Sequence, residues 1–144
     1  VNEVCRSAVQ MAEMRLMAGV NMYFTSEVTD DYTVVSDSRR IEQVLVNFLT
    51  NACKHTSKGE IHLHLSTTEN PGRLTFSVTD TGTGVSAEVA RDVFKRYKKA
   101  DDETQGSGIG LHICKTIADK LGAEIKLDET YTGGARFVFV LPMG

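Results

Sequence analysis

Residues 38–55, SRRIEQVLVNFLTNACKH, decide the fold of this chain. Their apolar residues recur every three or four positions, which predicts a long amphipathic helix with Ser38 as its N-cap. Asn47, Asn51 and Lys54 lie within roughly 60° of one another around that helix, at about 3.6 residues per turn. Amide oxygens suit Mg²⁺ and a lysine suits phosphate, but the same residue types commonly do no more than solvate the outer side of a helix. The apolar stripe consists of Ile41, Val44, Leu45, Phe48, Leu49 and Ala52.

The sequence on either side of this helix alternates between helical and strand patterns. Helices and antiparallel hairpins in this mixture predict an α+β fold, a two-layer α/β sandwich with helices on one face of a mixed, mostly antiparallel sheet. The predicted helices cover residues 1–17, 38–55, 86–97 and 107–121, and the predicted strands cover 21–25, 33–35, 61–66, 74–79, 124–128 and 136–141. Turns are predicted at 70–72 and 133–134, and a polar loop at 98–106.

Composition limits the classes of protein that the chain can represent. With 144 residues, of which 41% are hydrophobic and 24% charged, we expect a single globular domain over residues 1–144. A formal net charge of −3 argues against a surface for the phosphate backbone, so we expect no nucleic-acid partner. No apolar run approaches about 18 residues, so we expect no membrane-spanning helix. Cys5, Cys53 and Cys114 lack CxxC spacing, which favours buried thiols in a reducing compartment over disulfides or zinc.

Asp80 follows the predicted strand over residues 74–79 and begins the stretch DTGTGV. Since side chains alternate along a strand, Asp80 shares the face of that strand's apolar residues and should point inward. An inward carboxylate needs a donor, and the amino group of adenine is one, because an ionised carboxylate only accepts. Gly82 and Gly84 would let the backbone approach a flat base. The alternative is a purely structural turn, since Asp followed by Gly is common turn chemistry.

A second glycine-rich stretch, GSGIGL at residues 106–111, coincides with the start of the predicted helix over 107–121. Free N–H groups at the N-terminus of a helix form an anion site, although glycines also precede helices for steric reasons. The stretch does not follow a strand directly, so it fits a dinucleotide-binding fingerprint poorly.

Five motifs follow one another along the chain, namely NFLTNACKHT (47–56), DTGTGV (80–85), VFKRY (93–97), GSGIGL (106–111) and GGARF (133–137). In this order they resemble the catalytic, ATP-binding domain of sensor histidine kinases. These kinases share a superfamily with gyrase-type topoisomerases, heat-shock chaperone ATPases and mismatch-repair ATPases. The resemblance covers essentially the whole chain, and it implies a Bergerat-type ATP-binding fold in which ATP lies between the N-box helix and a lid. In chain order, the five motifs are similar to the family's N box, G1 box, F box, G2 box and last glycine motif.

The resemblance implies a role for each matching residue. Asn51 would coordinate Mg²⁺ with help from Asn47, Lys54 would contact phosphate, and Asp80 would accept from the adenine amino group. Residues 98–105 would form a lid that is poorly ordered without nucleotide. The remaining nucleotide-binding positions would be Gly82, Gly84, Val85, Tyr97, Lys98, Lys99, Gly106, Ser107, Gly108, Ile109, Gly110 and Leu111.

Asn47 also bears on the reaction. ATP-hydrolysing members of the superfamily have a glutamate at the matching position, and an amide cannot act as a general base. The resemblance therefore implies a kinase that binds Mg-ATP and donates the γ-phosphoryl group to a histidine on its own dimerisation and phospho-acceptor domain, for relay to a response regulator. We expect that helical domain to lie upstream of Val1. We expect the isolated chain to be monomeric, cytoplasmic, without direct membrane contact and inactive alone, and the full-length kinase to be membrane-anchored.

Some features depart from the family pattern or leave alternatives open. Ala135 stands where a hydroxyl residue is common, and residues 98–105 contain no arginine. His62 and His64 form an HxH pair on the predicted exposed face of a strand, where a solvated surface is favoured over a metal site. A degenerate kinase that binds nucleotide only to signal by conformation, and a serine kinase of the anti-sigma-factor type, share the same motifs.

Overall fold

The computed structural model describes residues 1–16, 18–31, 36–56, 58–70, 72–81, 107–128 and 134–142. The predicted strand over 33–35, the helix over 86–97 and the loop over 98–106 lie outside these residues. The described helices are α1 (Asn2–Ala12), α2 (Ser38–His55) and α3 (Ser107–Leu121), with a 3-10 turn at Glu13–Arg15. The described strands are β1 (Val20–Ser26), β2 (Gly59–Ser66), β3 (Arg73–Asp80), β4 (Glu124–Leu127) and β5 (Ala135–Pro142).

The described strands form one sheet in the order β1-β2-β3-β5-β4. β1 runs parallel to β2, whereas the β2–β3, β3–β5 and β4–β5 pairs are antiparallel. A parallel pair needs a crossover connection rather than a tight turn, and α2 lies in the connection between β1 and β2. β3 is therefore central, and its last residue, Asp80, lies opposite Ile61 of β2 and Ala135 of β5.

The core lies between the helices and one face of the sheet. Every residue of the predicted apolar stripe of α2 is at most 4% exposed, and the ring of Phe48 packs against that of Phe137 with centroids 5.5 Å apart. Buried residues of α1 and α3 belong to the same cluster, which confirms the predicted two-layer sandwich. The inward residues of β2 and β3 are fully buried, namely Ile61, Leu63, Leu65, Leu74, Phe76 and Val78.

Across the described residues, no helix combines the length and the apolar character needed to span a membrane.

Two details of the helices differ from the sequence prediction. α1 ends at Ala12 and continues as a 3-10 turn, rather than as an α-helix to residue 17. The N-cap of α2 is Asp37, not Ser38, because the Asp37 Oδ1 accepts from the N–H groups of Arg39 at 3.1 Å and Arg40 at 3.2 Å. Ser38 is instead the first residue of the helix. A carboxylate in the cap position satisfies two N–H groups that have no partner within the helix.

We expect Asp37→Ala to lower the free energy of unfolding by about 1 kcal/mol, the usual weight of an N-cap. Ser38→Ala is the matched control and should change it by less than about 0.5 kcal/mol, as surface substitutions do. Urea denaturation followed by circular dichroism measures both values. A larger loss for Ser38→Ala than for Asp37→Ala would restore Ser38 as the cap.

Candidate nucleotide-binding site

Asn51 lies on the flank of the apolar stripe of α2, yet its side chain is buried. Only 5% of its surface is exposed, and its Oδ1 has no hydrogen-bond partner among the residues that the structure describes. The alternative in which this amide solvates the outer side of the helix is therefore wrong for Asn51. A buried amide oxygen without a donor costs free energy. A cation or a donor group next to the Oδ1 of Asn51 would therefore be stabilising.

Asn47, one turn earlier on α2, contacts α3. Its Nδ2 donates to the Sγ of Cys114 at 3.6 Å, and its side chain is half-buried. Cys114 was predicted to be a buried thiol, as were Cys5 and Cys53, and all three are buried and free of disulfides. Lys54 lies in the last turn of α2, and its side chain is outside the described part of the structure.

The oxygen atoms of Asn47 and Asn51 suit Mg²⁺, which prefers oxygen ligands and keeps several waters and substrate phosphates as its other ligands. The unpartnered Oδ1 of Asn51 fits this group, because a metal would satisfy an atom that the described protein groups do not. Two amides contribute no charge of their own, so a metal held there would need its balancing charge from other groups.

Asp80 points into the core side of the sheet, as its phase in β3 predicts. It is 1% exposed, and its Oδ1 accepts from the N–H of Ala135 at 3.2 Å. The carboxylate therefore links the end of β3 to the start of β5. Ala135 itself, which replaces the commoner hydroxyl residue, serves here through its backbone.

Gly134 lets β5 approach Asp80 closely. Its φ of +151° is unfavourable for residues with a side chain. A Cβ at this position would lie 2.0 Å from the carbonyl oxygen of Asp80 and 3.0 Å from its Oδ1. Gly134 was predicted as part of a turn and of the last glycine motif, but its contact with Asp80 could not be derived from the sequence.

Thr81 holds the chain where it leaves β3, and sequence reasoning missed it. Its N–H donates to the carbonyl of Glu60 at 3.2 Å, and its Oγ1 accepts from the N–H of Glu60 at 3.0 Å. Gly59, with φ of +118°, makes room for the threonine, since a Cβ there would lie 2.0 Å from the Oγ1. These contacts hold the end of β3 against the start of β2. The only signal in the sequence was the position of Thr81 within the glycine motif.

The second glycine motif lies at the N-terminus of α3. The helix begins at Ser107, so Gly108 and Gly110 are in its first turn, where N–H groups lack partners within the helix. The side chains of residues 107–112 are outside the described part, so for Ser107, Ile109 and Leu111 only the backbone position is known. The other predicted nucleotide contacts lie wholly outside the described residues, namely Gly82, Gly84, Val85, Tyr97, Lys98, Lys99 and Gly106.

His62 and His64 lie on the outer face of the sheet, as the alternation of β2 predicts. Both are half-buried, and the Oγ1 of Thr25 lies 2.5 Å from the Nε2 of His62 and 2.6 Å from the Nδ1 of His64. The ring of Tyr23 stacks on His62 at 4.4 Å, and burial together with the nearby His64 lowers the pKa of His62. In the described ranges, no group of three His, Cys, Asp or Glu could hold a metal. These histidines therefore belong to a polar network that links β1 to β2.

The fold and the family comparison identify the class of protein. The described residues form an α/β sandwich in which α2 lies across one face of a mixed sheet. The chain belongs to the family described as histidine kinase-, DNA gyrase B-, and HSP90-like ATPase, which matches residues 36–144. Within it, the chain is homologous to the catalytic domains of sensor histidine kinases.

Individual relatives and solved structures agree with this assignment. The sensor protein KdpD of Clostridium acetobutylicum is 33% identical over 147 residues, which cover 99% of this chain and 16% of KdpD. SrrB of Staphylococcus aureus is 34% identical over 128 residues, covering 86% of this chain and 21% of SrrB. The mycobacterial sensor histidine kinase MprB superposes with a TM-score of 0.82 at 25% identity, covering 99% of this chain and 95% of that structure. Full-length ShkA, solved in complex with AMPPNP, gives a TM-score of 0.77 at 28% identity, over 99% of this chain and 29% of ShkA.

We expect Gly134→Ala to destabilise the protein more than Gly122→Ala, which is the matched control. Gly122 also has a positive φ, +69°, but nothing lies within 4 Å of its hypothetical Cβ. Gly122→Ala should therefore cost about 1–2 kcal/mol for the left-handed backbone alone. Gly134→Ala should cost about 1–3 kcal/mol more, because the methyl group overpacks against the backbone of Asp80. Equal losses in urea denaturation would show that the Asp80 contact does not constrain position 134.

Proposed function

We propose that this chain binds Mg-ATP and donates the γ-phosphoryl group to a histidine on the dimerisation and phospho-acceptor domain of the same kinase. The observation that carries the proposal is the buried Oδ1 of Asn51, which has no partner among the described residues. It lies at the position that the histidine kinase resemblance assigns to the metal. The membership of the family and the AMPPNP complex of the related ShkA support ATP as the ligand.

In this proposal, different residues of the chain bind the metal, the base and the phosphates. Asn51 and Asn47 would hold Mg²⁺, which supplies charge neutralisation at the phosphates. Asp80 would accept from the adenine amino group, and its contact with Ala135 keeps the carboxylate oriented for that purpose. Lys54 and the N-terminal N–H groups of α3 would stabilise the phosphate charge. Catalysis in such a site is positioning together with electrostatic stabilisation.

Asn47 determines which nucleophile can react. A carboxylate at this position could deprotonate water, but an amide cannot, so bound ATP is protected from hydrolysis until an outside nucleophile arrives. In the transfer, a histidine nitrogen forms a bond to the γ-phosphorus while the bond to the bridging oxygen of ADP breaks. The phosphoryl group is then available for relay to a response regulator.

The partners follow from the same reasoning. The chain spans 16% of the length of KdpD and 21% of the length of SrrB, so the kinases to which it is related carry several other parts. We propose that residues 1–144 act as a single catalytic domain in the cytoplasm. In this proposal the acceptor helices supply the dimer contact within a membrane-anchored kinase, and the domain alone is monomeric.

We expect Asn51→Ala to weaken ATP binding at least about tenfold in the presence of Mg²⁺, because metal sites commonly lose 10- to 100-fold when a supporting group is removed. Without Mg²⁺ the same variant should bind ATP about as well as the wild type. Gln43→Ala, an exposed amide on the same helix, is the matched control. Isothermal titration calorimetry with and without Mg²⁺ gives all six affinities. An Mg²⁺ effect of equal size in Asn51→Ala and wild type would remove Asn51 from the metal site.

We expect the isolated chain to show neither stable self-labelling nor useful ATP hydrolysis. None of its histidines lies in the phospho-acceptor context of the family, and position 47 carries an amide rather than a general base. Mixed with the acceptor helical domain of its own kinase and γ-labelled ATP, it should transfer label to that domain. The label should be acid-labile and alkali-stable, as expected for phosphohistidine.

The alternatives give different outcomes in this experiment. Acid-stable label on a partner protein would indicate a serine kinase. ATP binding without any transfer to the acceptor domain would indicate a regulatory nucleotide-binding module. Rapid hydrolysis by the chain alone would assign it to the ATP-hydrolysing branch of the superfamily.

A further inference from the structure

A buried thiol joins α3 to the polar edge of α2. Cys114 is 0% exposed, and its Sγ lies 3.6 Å from the Nδ2 of Asn47 and 3.9 Å from the carbonyl oxygen of Val44. Most buried cysteines behave as small apolar residues. This one contacts a polar side chain that the proposed function places at the metal, so its chemistry bears on the site.

The thiol has a single proton to donate, and one of its two polar neighbours can only accept. Cys114 is fully buried, and the carbonyl oxygen of Val44 lies 3.9 Å from its Sγ. The carbonyl of Val44 can only accept, so the S–H donates to it. The sulfur then offers only lone pairs to its other neighbour, Asn47.

A side-chain amide presents a donor on one branch and an acceptor on the other. Facing the lone pairs of Cys114, Asn47 is stabilised with its NH₂ group toward the sulfur, because its oxygen there would meet another acceptor. The Oδ1 of Asn47 is thereby turned away from the thiol. Mg²⁺ binds an amide through oxygen, so only one of the two orientations of Asn47 can serve the metal.

We propose that Cys114 is a positioning residue, whose thiol holds the Asn47 amide in the orientation that presents its oxygen to the metal of the nucleotide site. The proposal rests on the proposed function. It also links two motifs, because Cys114 belongs to α3, which follows the second glycine motif, whereas Asn47 begins the N box. The placement of α3 thus affects the metal site directly.

Cys53 supplies a matched control within the same chain. It is also buried, at 3% exposure, and its Sγ also lies 3.9 Å from a backbone carbonyl, that of Ala12. It lies on α2 but points toward α1, away from Asn47. A substitution at Cys53 therefore removes a buried thiol without affecting the amide.

The test compares Cys114→Val, Cys114→Ala, Cys114→Ser and Cys53→Val in the 144-residue chain. ATP affinity is measured by calorimetry with and without Mg²⁺, and the side-chain amide of Asn47 is observed by ¹H–¹⁵N NMR in the absence of metal. Cys114→Val and Cys114→Ala should reduce the gain in ATP affinity from Mg²⁺ by about 3- to 10-fold, the weight of one hydrogen bond. Both should shift the Asn47 amide signals. Cys114→Ser keeps an acceptor and should retain the gain, as should Cys53→Val.

The outcomes separate this inference from the proposed function. If wild type gains no ATP affinity from Mg²⁺, the proposed function fails. If wild type gains affinity but the folded Cys114→Val or Cys114→Ala variant gains as much, with unchanged Asn47 signals, Cys114 is only a packing residue. The role of the acceptor would also be overturned if Cys114→Ser reduced the Mg²⁺-dependent increase in ATP affinity as much as Cys114→Val does.

Discussion

The packing of α2 against the sheet is the constraint on which the rest of this domain depends. Phe48 and its neighbours on the stripe must face the sheet, because they are fully buried there and burying such side chains is worth about 1.5–3 kcal/mol each. This fixes the rotation of the helix about its own axis. Once the rotation is fixed, Asn47 and Asn51 lie on one flank of the helix, Asn51 buried and Asn47 half-buried. The core thereby places the polar groups of the site.

Next to α2, the candidate site depends on places where the end of β3 lies very close to the backbones of its neighbouring strands. Asp80 is a nearly fully buried carboxylate, which would be costly without donors, and Ala135 provides one through its N–H. Gly134 and Gly59 leave the space that such approaches require. The end of β3 is thus held on both sides, by β5 through Asp80 and by β2 through Thr81. The proposed contact of Asp80 with a base would need this rigidity, since orientation contributes much of the specificity of a binding site.

The contact of Asn47 with Cys114 connects the two halves of the site. A helix that begins at the second glycine motif packs on the helix that carries the N box, and the contact between them includes a polar group as well as apolar ones. Cores with buried polar contacts tolerate fewer arrangements than purely apolar ones, because each donor and acceptor must be satisfied. The proposed metal site is therefore sensitive to the position of α3.

The sequence alone determined the local structure and the family. The amphipathic pattern of residues 38–55 gave α2 to within one residue of its observed start. The alternation in β2 and β3 gave their inward faces, and the phase of Asp80 gave its burial. These predictions succeeded because each depends on a period of two or 3.6 residues, which neighbouring residues encode. The five motifs in order gave the family, which the comparison confirmed.

Only the tertiary structure decided what depends on residues distant along the chain. In the sequence, Asn51 lies only at the edge of the apolar stripe, which does not predict burial. Its side chain is buried because other elements pack around α2. Asp and Ser are both good N-cap residues, so the sequence could not decide whether Asp37 or Ser38 caps α2. The side-chain geometry in the structure decided it. The parallel pairing of β1 with β2, the contact of Gly134 with Asp80 and the contact of Cys114 with Asn47 join residues 39, 54 and 67 positions apart respectively. No local period encodes such contacts, because they arise only when the whole core packs.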